Sequence, residues 1–452
     1  MTSLPSSRPA TAVLLAAGLG TRMKSSRPKA IQTLAGQPML AHLIASAAEV
    51  FDRLVIVVGP DMEDVSALAA PFPVVVQHER LGTAHAALQA EPWFGDGDVA
   101  VLYADNPLIS AQTLSALLAE RRMPGVGLAL LAMRPADPAR YGRVMTQGED
   151  VTHIVEWADA TSDERATDLC NAGVLCAGAA DFRAWLHRVG NDNAKAEFYL
   201  TDVVSLAVAD GARVRAVEAA EDELRGVNSR AELAQAEQCL QERLRQRAMD
   251  NGVTLVAPQT VFFSADTVLA ADVLVEPNVV FGPGVVVHEN VVIRAFSHLE
   301  GCEVHAGAVI GPYARLRPET SIGAGARIGN FVEVKSATLG EGTKVNHLTY
   351  LGNARIGAQT NIGAGTILCN YDGVFKHTTT IGNNVFVGSD SVLVAPVNVG
   401  DNALVAAGSI ITTDVPPEAL ALGRARQVNK PELGKRFMDA RRAEKEAEKE
   451  NG

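Results

Sequence analysis

No apolar run in this chain reaches the ~18 residues that a membrane-spanning helix needs. Basic residues are in deficit too: 40 Lys and Arg stand against 52 Asp and Glu, a formal net charge of −12. That balance argues against a nucleic-acid partner and against binding to an anionic membrane surface. A local cluster of Arg and Lys can still hold an anionic substrate. Cysteine is scarce, and Cys170, Cys176, Cys239, Cys302 and Cys369 form no CxxC pair. An odd, scattered set suits reduced thiols in a cytoplasmic protein and excludes a disulfide framework or a zinc ribbon. The opening MTSLPSSRPATAVLLAAG has only a short apolar stretch, a weak basic flank and a glycine-rich end. It reads as a first core strand rather than a secretion signal.

At 452 residues the chain is too long for one hydrophobic core, so several domains are expected. Residues 1–10 form a flexible tail. From 11 to 228, strand-like runs (TAVLLAA, LVIVVG, PVVVQ, DVAVLYAD) alternate with helical ones (PMLAHLIASAAEVFD, MEDVSALAA, TAHAALQA). Such alternation predicts a Rossmann-like α/β domain with a mainly parallel sheet, whose ligands sit at the carboxyl ends of the strands. Residues 229–250 carry strong helix formers after Asn228-Ser229 and read as a connecting helix.

Helical periodicity then vanishes, and an aliphatic residue or Phe recurs every sixth position. Val275, Phe281, Val287, Ile293 and Leu299 begin the series, and Val304, Ile310, Leu316, Ile322, Ile328 and Val334 follow a one-residue slip. Leu339, Val345 and Leu351, then Ile356, Ile362 and Leu368, continue it. Ile381, Val387, Leu393, Val399, Val405 and Ile411 close it after an insertion. A six-residue period predicts a triangular solenoid, a left-handed parallel β-helix with three faces and about 18 residues per coil, over 251–430. Residues 431–452 are charge-dense and form a solvated helix or tail.

LLAAGLGTRM follows the first strand, and Pro28-Lys29 comes soon after. Glycine at a strand end lets backbone N–H groups close on phosphate oxygens, although no Walker GxxxxGK[ST] is present. Arg22 and Lys29 would supply the fixed positive charge that a triphosphate requires. This motif resembles that of the sugar nucleotidyltransferases. With the hexapeptide half, the chain from about residue 12 to 430 resembles the bifunctional N-acetylglucosamine-1-phosphate uridylyltransferases/glucosamine-1-phosphate N-acetyltransferases.

The resemblance implies that Leu15, Ala16, Ala17, Gly18, Lys29, Gln77, Gly82, Thr83, Tyr103 and Ala104 surround the nucleotide. Gly142, Glu156 and Asn171 match sugar-binding positions, and Asp105 with Asn228 matches the ligands of Mg2+. Where the family has Gly, this chain has Ala84 and Ala104, each adding one methyl. A sugar-1-phosphate dianion can attack the α-phosphate of UTP without a general base. The protein therefore needs cations more than a proton acceptor.

In the second half, polar residues cluster between Arg315 and Asn370, in ARLRP, NFVEVK, VNHLTYLGN and NIGAGTILCNYDG. Acetyl transfer to a sugar amine needs a base, and a neutral imidazole suits it. His347 is that candidate, while His288 and His377 lack similar company and read as surface residues. The family pattern implies that Arg317 and Lys335 grip the sugar phosphate and that Tyr350 and Asn361 hold the sugar, with Glu333 beside them. Ala364, Asn370, Tyr371, Ser389, Ala407 and Arg424 then line acetyl-CoA. The same resemblance implies a cytoplasmic homotrimer in cell-wall, peptidoglycan and lipopolysaccharide synthesis, and an insertion after Leu368 that reaches a neighbouring subunit. Two readings compete with it. One is a single-activity sugar-1-phosphate nucleotidyltransferase whose β-helix only oligomerises or regulates. The other is a structural β-helix protein with a nucleotide-sensing domain.

Overall fold

The computed structural model describes residues 8–138, 140–193 and 195–450, so most of the expected N-terminal tail lies outside the described residues. Ala10, expected in that tail, already opens the first strand. The chain divides into two compact units, Met1–Thr267 with Phe281–Gly284 and Val268–Val280 with Val285–Gly452.

The first unit is built on a nine-stranded sheet. Its strands are β1 (Ala10–Leu15), β2 (Arg53–Val58), β3 (Val74–Val76), β4 (Asp98–Tyr103), β5 (Val126–Met133), β6 (Arg143–Gln147), β7 (Asp150–Val155), β8 (Cys170–Gly178) and β9 (Arg213–Glu218), in the order β3-β2-β1-β4-β8-β5-β9-β7-β6. Strand β1 shows why both faces are covered. Its even residues Ala10, Ala12 and Leu14 enter one core with Leu40, Leu43, Leu114 and Leu117. Its odd residues Val13 and Leu15 enter another with Ala86, Ala87, Phe182 and Trp185. Alternation along a strand places the two sets on opposite faces.

The sheet is more mixed than the alternating pattern predicts. Strands β3, β2, β1 and β4 are parallel, but β8 runs antiparallel to both β4 and β5. The reason lies before β8, where β6 and β7 form an antiparallel pair and the next helix, Ser162–Arg165, is four residues long. A helix that short cannot provide the crossover that a parallel strand requires. The 21-residue helix Arg230–Asp250 lies along the same unit. Ala236 joins a buried cluster with Leu34, Met39, Leu108 and Val227, and Glu237 accepts a 2.7 Å hydrogen bond from the Ala35 amide.

The second unit is a parallel β-helix. Leu274 pairs with Val292 and Val292 with Val309, so each coil takes 18 or 17 residues. The one-residue slips in the aliphatic series are these shorter coils. Ala354 pairs with Thr379 because the insertion lengthens that coil. Every residue of the series from Val275 to Ile411 is at most 5% exposed. Two 13-residue strands, Arg327–Leu339 and Lys344–Ile356, run side by side around the prism and carry most of the unusual polar residues. Close coil stacking removes side chains at some positions: a Cβ on Gly329 would lie 1.9 Å from the Asn346 carbonyl oxygen. The tail folds as the helix Leu433–Glu450, exposed along its described length. All five cysteines are free, and burial pushes the Cys176 and Cys302 thiols up to about 12. Among the described residues, no helix is long and apolar enough to cross a membrane.

The inward series makes a direct stability test. Leu351→Ala, at a fully buried position, should lower unfolding free energy by about 2–5 kcal/mol in a denaturant titration. Arg355→Ala, exposed four residues later, should change it by no more than about 0.5 kcal/mol.

Candidate functional site

In the first unit, parallel pairing brings the ends of β1 and β4 together, with Leu15 opposite Tyr103. The chain leaves both strands on the same edge, and the Ala104 amide donates to the Leu15 carbonyl at 3.0 Å. A cavity of about 250 Å³ opens there, lined by Leu15, Ala16, Ala17, Gly18, Lys29, Gln77, Gly82, Thr83, Tyr103, Ala104 and Asp105. Four further lining residues, Ala30, Ala86, Arg80 and Glu197, carry no expected role, and the last two are charged. Arg80 donates to the Ala17 carbonyl at 2.9 Å and props the glycine-rich loop. It stands just before Leu81-Gly82-Thr83, so its motif was the available signal. Nothing local marks Glu197.

Gly82 has φ +123°, and a Cβ there would lie 2.5 Å from the Phe198 carbonyl oxygen. Only glycine fits that approach. Ala84 is buried in the core, so its methyl packs inward, whereas Ala104 lines the cavity itself.

The charged centre is compact. Lys29 Nζ lies 2.5 Å from an Asp105 carboxylate oxygen and 3.0 Å from Asn228 Oδ1, joining residues 199 positions apart. Arg22 does not line the main cavity. It borders a separate one of about 490 Å³ with Arg140, Tyr141, Asn228 and Glu232. Gly142, Asn171 and Glu156 form a third group: the Asn171 amide donates to the Gly142 carbonyl at 2.9 Å. Glu156 Oε1 would lie 3.6 Å from a Cβ on Gly142. Burial raises the Glu156 carboxyl above its ordinary range, opposed by a hydrogen bond from Thr201. Burial likewise raises the Tyr103 phenol, against a hydrogen bond with Thr83.

In the second unit, coil register orders the polar residues. His347 pairs with Asn330, and Nδ1 lies 2.7 Å from Asn330 Oδ1. An amide oxygen only accepts, so this contact favours the tautomer protonated at Nδ1. Successive coils extend this prism corner. The Gly365 amide donates to the His347 carbonyl, Asp390 to Ala364, and Gly408 to Ser389. Arg424 Nη1 donates to the Ala407 carbonyl at 2.8 Å. His347, Ala364, Ser389, Ala407 and Arg424 therefore follow one line down the solenoid. A cavity of about 330 Å³ adjoins its upper end, lined by Arg294, Arg327, Asn330, Asn346 and His347 among others.

The face beginning at that corner carries Glu333 and Tyr350 as register partners. Arg317 Nη1 donates to Glu333 Oε1 at 2.8 Å. At the far end, the ammonium of Lys376 and the guanidinium of Arg317 lower the Lys335 pKa. Glu319 opposes that effect. A Cβ on Gly352, the register partner of Lys335, would meet both the Tyr350 hydroxyl at 2.5 Å and Asn370 Nδ2 at 2.8 Å. Asn370 is buried and donates to Asn353 at 2.7 Å, while Tyr371 is exposed on the insertion. Asn361 stands apart, pairing with Lys344 and Phe386 on the preceding face. His377 is held by Asp372 at 2.7 Å.

A family model described as MobA-like NTP transferase domain matches residues 12–169. One described as bacterial transferase hexapeptide (six repeats) matches 266–301, and one described as GMPPB C-terminal domain matches 299–413. Proteins named bifunctional protein GlmU are similar over nearly the full length. That of Gluconacetobacter diazotrophicus is 67% identical, covering 98% of this chain and 97% of the relative. That of Gluconobacter oxydans is 64% identical, with 96% and 98% covered. A solved structure of UDP-glucose pyrophosphorylase complexed with UDP-glucose gives a TM-score of 0.44 at 19% identity, covering 52% of this chain and 99% of that one.

Glu156 offers a test of the pocket's electrostatics. Its folded-state carboxyl holds its proton to higher pH than in the unfolded chain, so its contribution to stability falls as pH rises through that interval. Carbon-detected NMR titration should give a midpoint above the ordinary Glu range. Thr201→Val removes a bond that favours the carboxylate, and should raise the midpoint further. Ordinary midpoints in both proteins would contradict the burial.

Proposed function

The chain belongs to the family of the bifunctional protein GlmU, and we propose that it acetylates glucosamine-1-phosphate with acetyl-CoA and then transfers uridylyl from UTP to the resulting N-acetylglucosamine-1-phosphate. The observation that carries this reading is the line from His347 to Arg424, an imidazole at the head of a corner that continues over successive coils.

In the acetyl-transfer step, Arg317 and Lys335 hold the sugar phosphate while Tyr350 and Glu333 orient the sugar beside His347. The amine nitrogen attacks the thioester carbonyl, and its proton passes to His347 Nε2. The carbon–sulfur bond breaks, and the departing thiolate takes up a proton as CoA. Asn330 fixes the imidazole tautomer through Nδ1. Ala364, Asn370, Tyr371, Ser389, Ala407 and Arg424 line the CoA path.

For uridylyl transfer, a sugar-phosphate oxygen attacks the α-phosphorus of UTP and pyrophosphate leaves. Gly18 and its neighbours cradle the phosphates, Gln77, Gly82 and Thr83 hold the nucleoside, and Gly142, Glu156 and Asn171 hold the sugar. Asp105 and Asn228 already direct two oxygens at one cation, the Lys29 ammonium. Hard oxygen donors of this kind fit Mg2+. A magnesium ion at these residues would offset the charge on the triphosphate and the departing pyrophosphate. Lys29 and Arg22 supply fixed positive charge.

On this reading the enzyme acts in the cytoplasm as a homotrimer, in the supply of cell-wall and lipopolysaccharide precursors. Asn361 and Tyr350 lie on the two faces that flank the His347 corner, and a neighbouring copy set against that corner would complete the site. The insertion bearing the exposed Val374 and Phe375 is suited to reach a neighbour.

Three variants test the reading. His347→Ala should lower acetyl-transfer kcat by about 10²–10⁴, followed as CoA release, with uridylyl transfer kept. Asn330→Ala should lower it less, because the imidazole remains but loses its preferred tautomer. Asp105→Ala should abolish pyrophosphate release and spare acetyl transfer. Loss of both activities in either folded variant would overturn the division of labour.

A further inference from the structure

Away from these residues, the prism carries a second group of donor atoms that neither reaction uses. Val287 and Val304 are register partners in adjacent coils, and a histidine follows each. The His288 and His305 rings stack with centroids 5.0 Å apart and 21° between planes. Glu303 points at both: one carboxylate oxygen lies 2.8 Å from His288 Nε2 and 3.9 Å from His305 Nδ1. All three donor atoms fall within 4.8 Å of one another. His305 Nε2 lies 3.4 Å from Ser321 Oγ in the following coil. Thus His288, expected to be an isolated surface residue, has company that only the coil register reveals.

We propose that His288, Glu303 and His305 form a binding site for a zinc-class divalent cation, with water completing the coordination. Two imidazoles with one carboxylate are a known three-ligand set for zinc, and nitrogen donors discriminate against Mg2+ and Ca2+. Ligand atoms held tetrahedrally at zinc distances are about 3.3 Å apart, between the two separations seen around Glu303. Ser321 is placed to orient His305 through its second nitrogen, as outer hydrogen bonds do in metal sites. The three side chains are 38–48% exposed, so an ion can reach them. Because the ligands come from two stacked coils, the ion would clamp those coils together. It would also be chemically distinct from the all-oxygen pair Asp105 and Asn228.

The test uses full-length protein dialysed against chelator and titrated with Co2+ alone in excess Mg2+, which occupies oxygen sites. One Co2+ per chain with visible d–d absorption is expected, bleached by one equivalent of Zn2+. His288→Ala, His305→Ala and Glu303→Gln should each weaken Co2+ binding by about 100-fold while keeping both transferase activities as evidence of folding. Absence of a stoichiometric cobalt spectrum, or equal binding in the three variants, would reduce the cluster to an ion pair and overturn the proposal.

Discussion

The backbone ladder between successive coils is the constraint on which the second unit depends. Each coil donates and accepts hydrogen bonds from the coils on either side, and the inward aliphatic residues stack because that ladder holds register. The same register aligns what points outward. Asn330 meets His347, Glu333 meets Tyr350, and Val287 brings His288 to His305 by way of Val304. The residues of a site made this way are far apart in sequence by whole coils and are positioned by the scaffold itself.

The first unit uses strand ends instead. Parallel pairing of β1 with β2 and β4 delivers three loops to one edge. Lys29 then ties Asp105 to Asn228. The ammonium satisfies two oxygens that would otherwise repel or be left unpaired.

The six-residue beat was legible because only aliphatic side chains fit inside the prism, and every one of the series is buried. Strand-end placement of Gly18, Gly82 and Asp105 was legible for a similar reason, since the motifs sit where apolar runs stop. Strand direction was not, because apolar periodicity is the same in parallel and antiparallel strands; β8 is the consequence. Arg80 and Glu197 join the pocket through tertiary approach, with Phe198 meeting Gly82 across more than a hundred residues. Asn330 lay inside a quoted motif, yet its contact with His347 appears only when one coil is laid on the next. Arg22 and Lys29 looked equivalent as nearby cations, but they border different cavities.

On the proposed function, one chain carries two chemically independent centres, linked only by a shared intermediate. Mixing tests it most directly. Purified Asp105→Ala and His347→Ala proteins, each unable to complete the sequence alone, are combined with glucosamine-1-phosphate, acetyl-CoA, UTP and magnesium. UDP-N-acetylglucosamine, followed by chromatography, should accumulate in the mixture and in neither separate reaction. A mixture as inactive as its components, although each protein keeps its remaining activity, would contradict it.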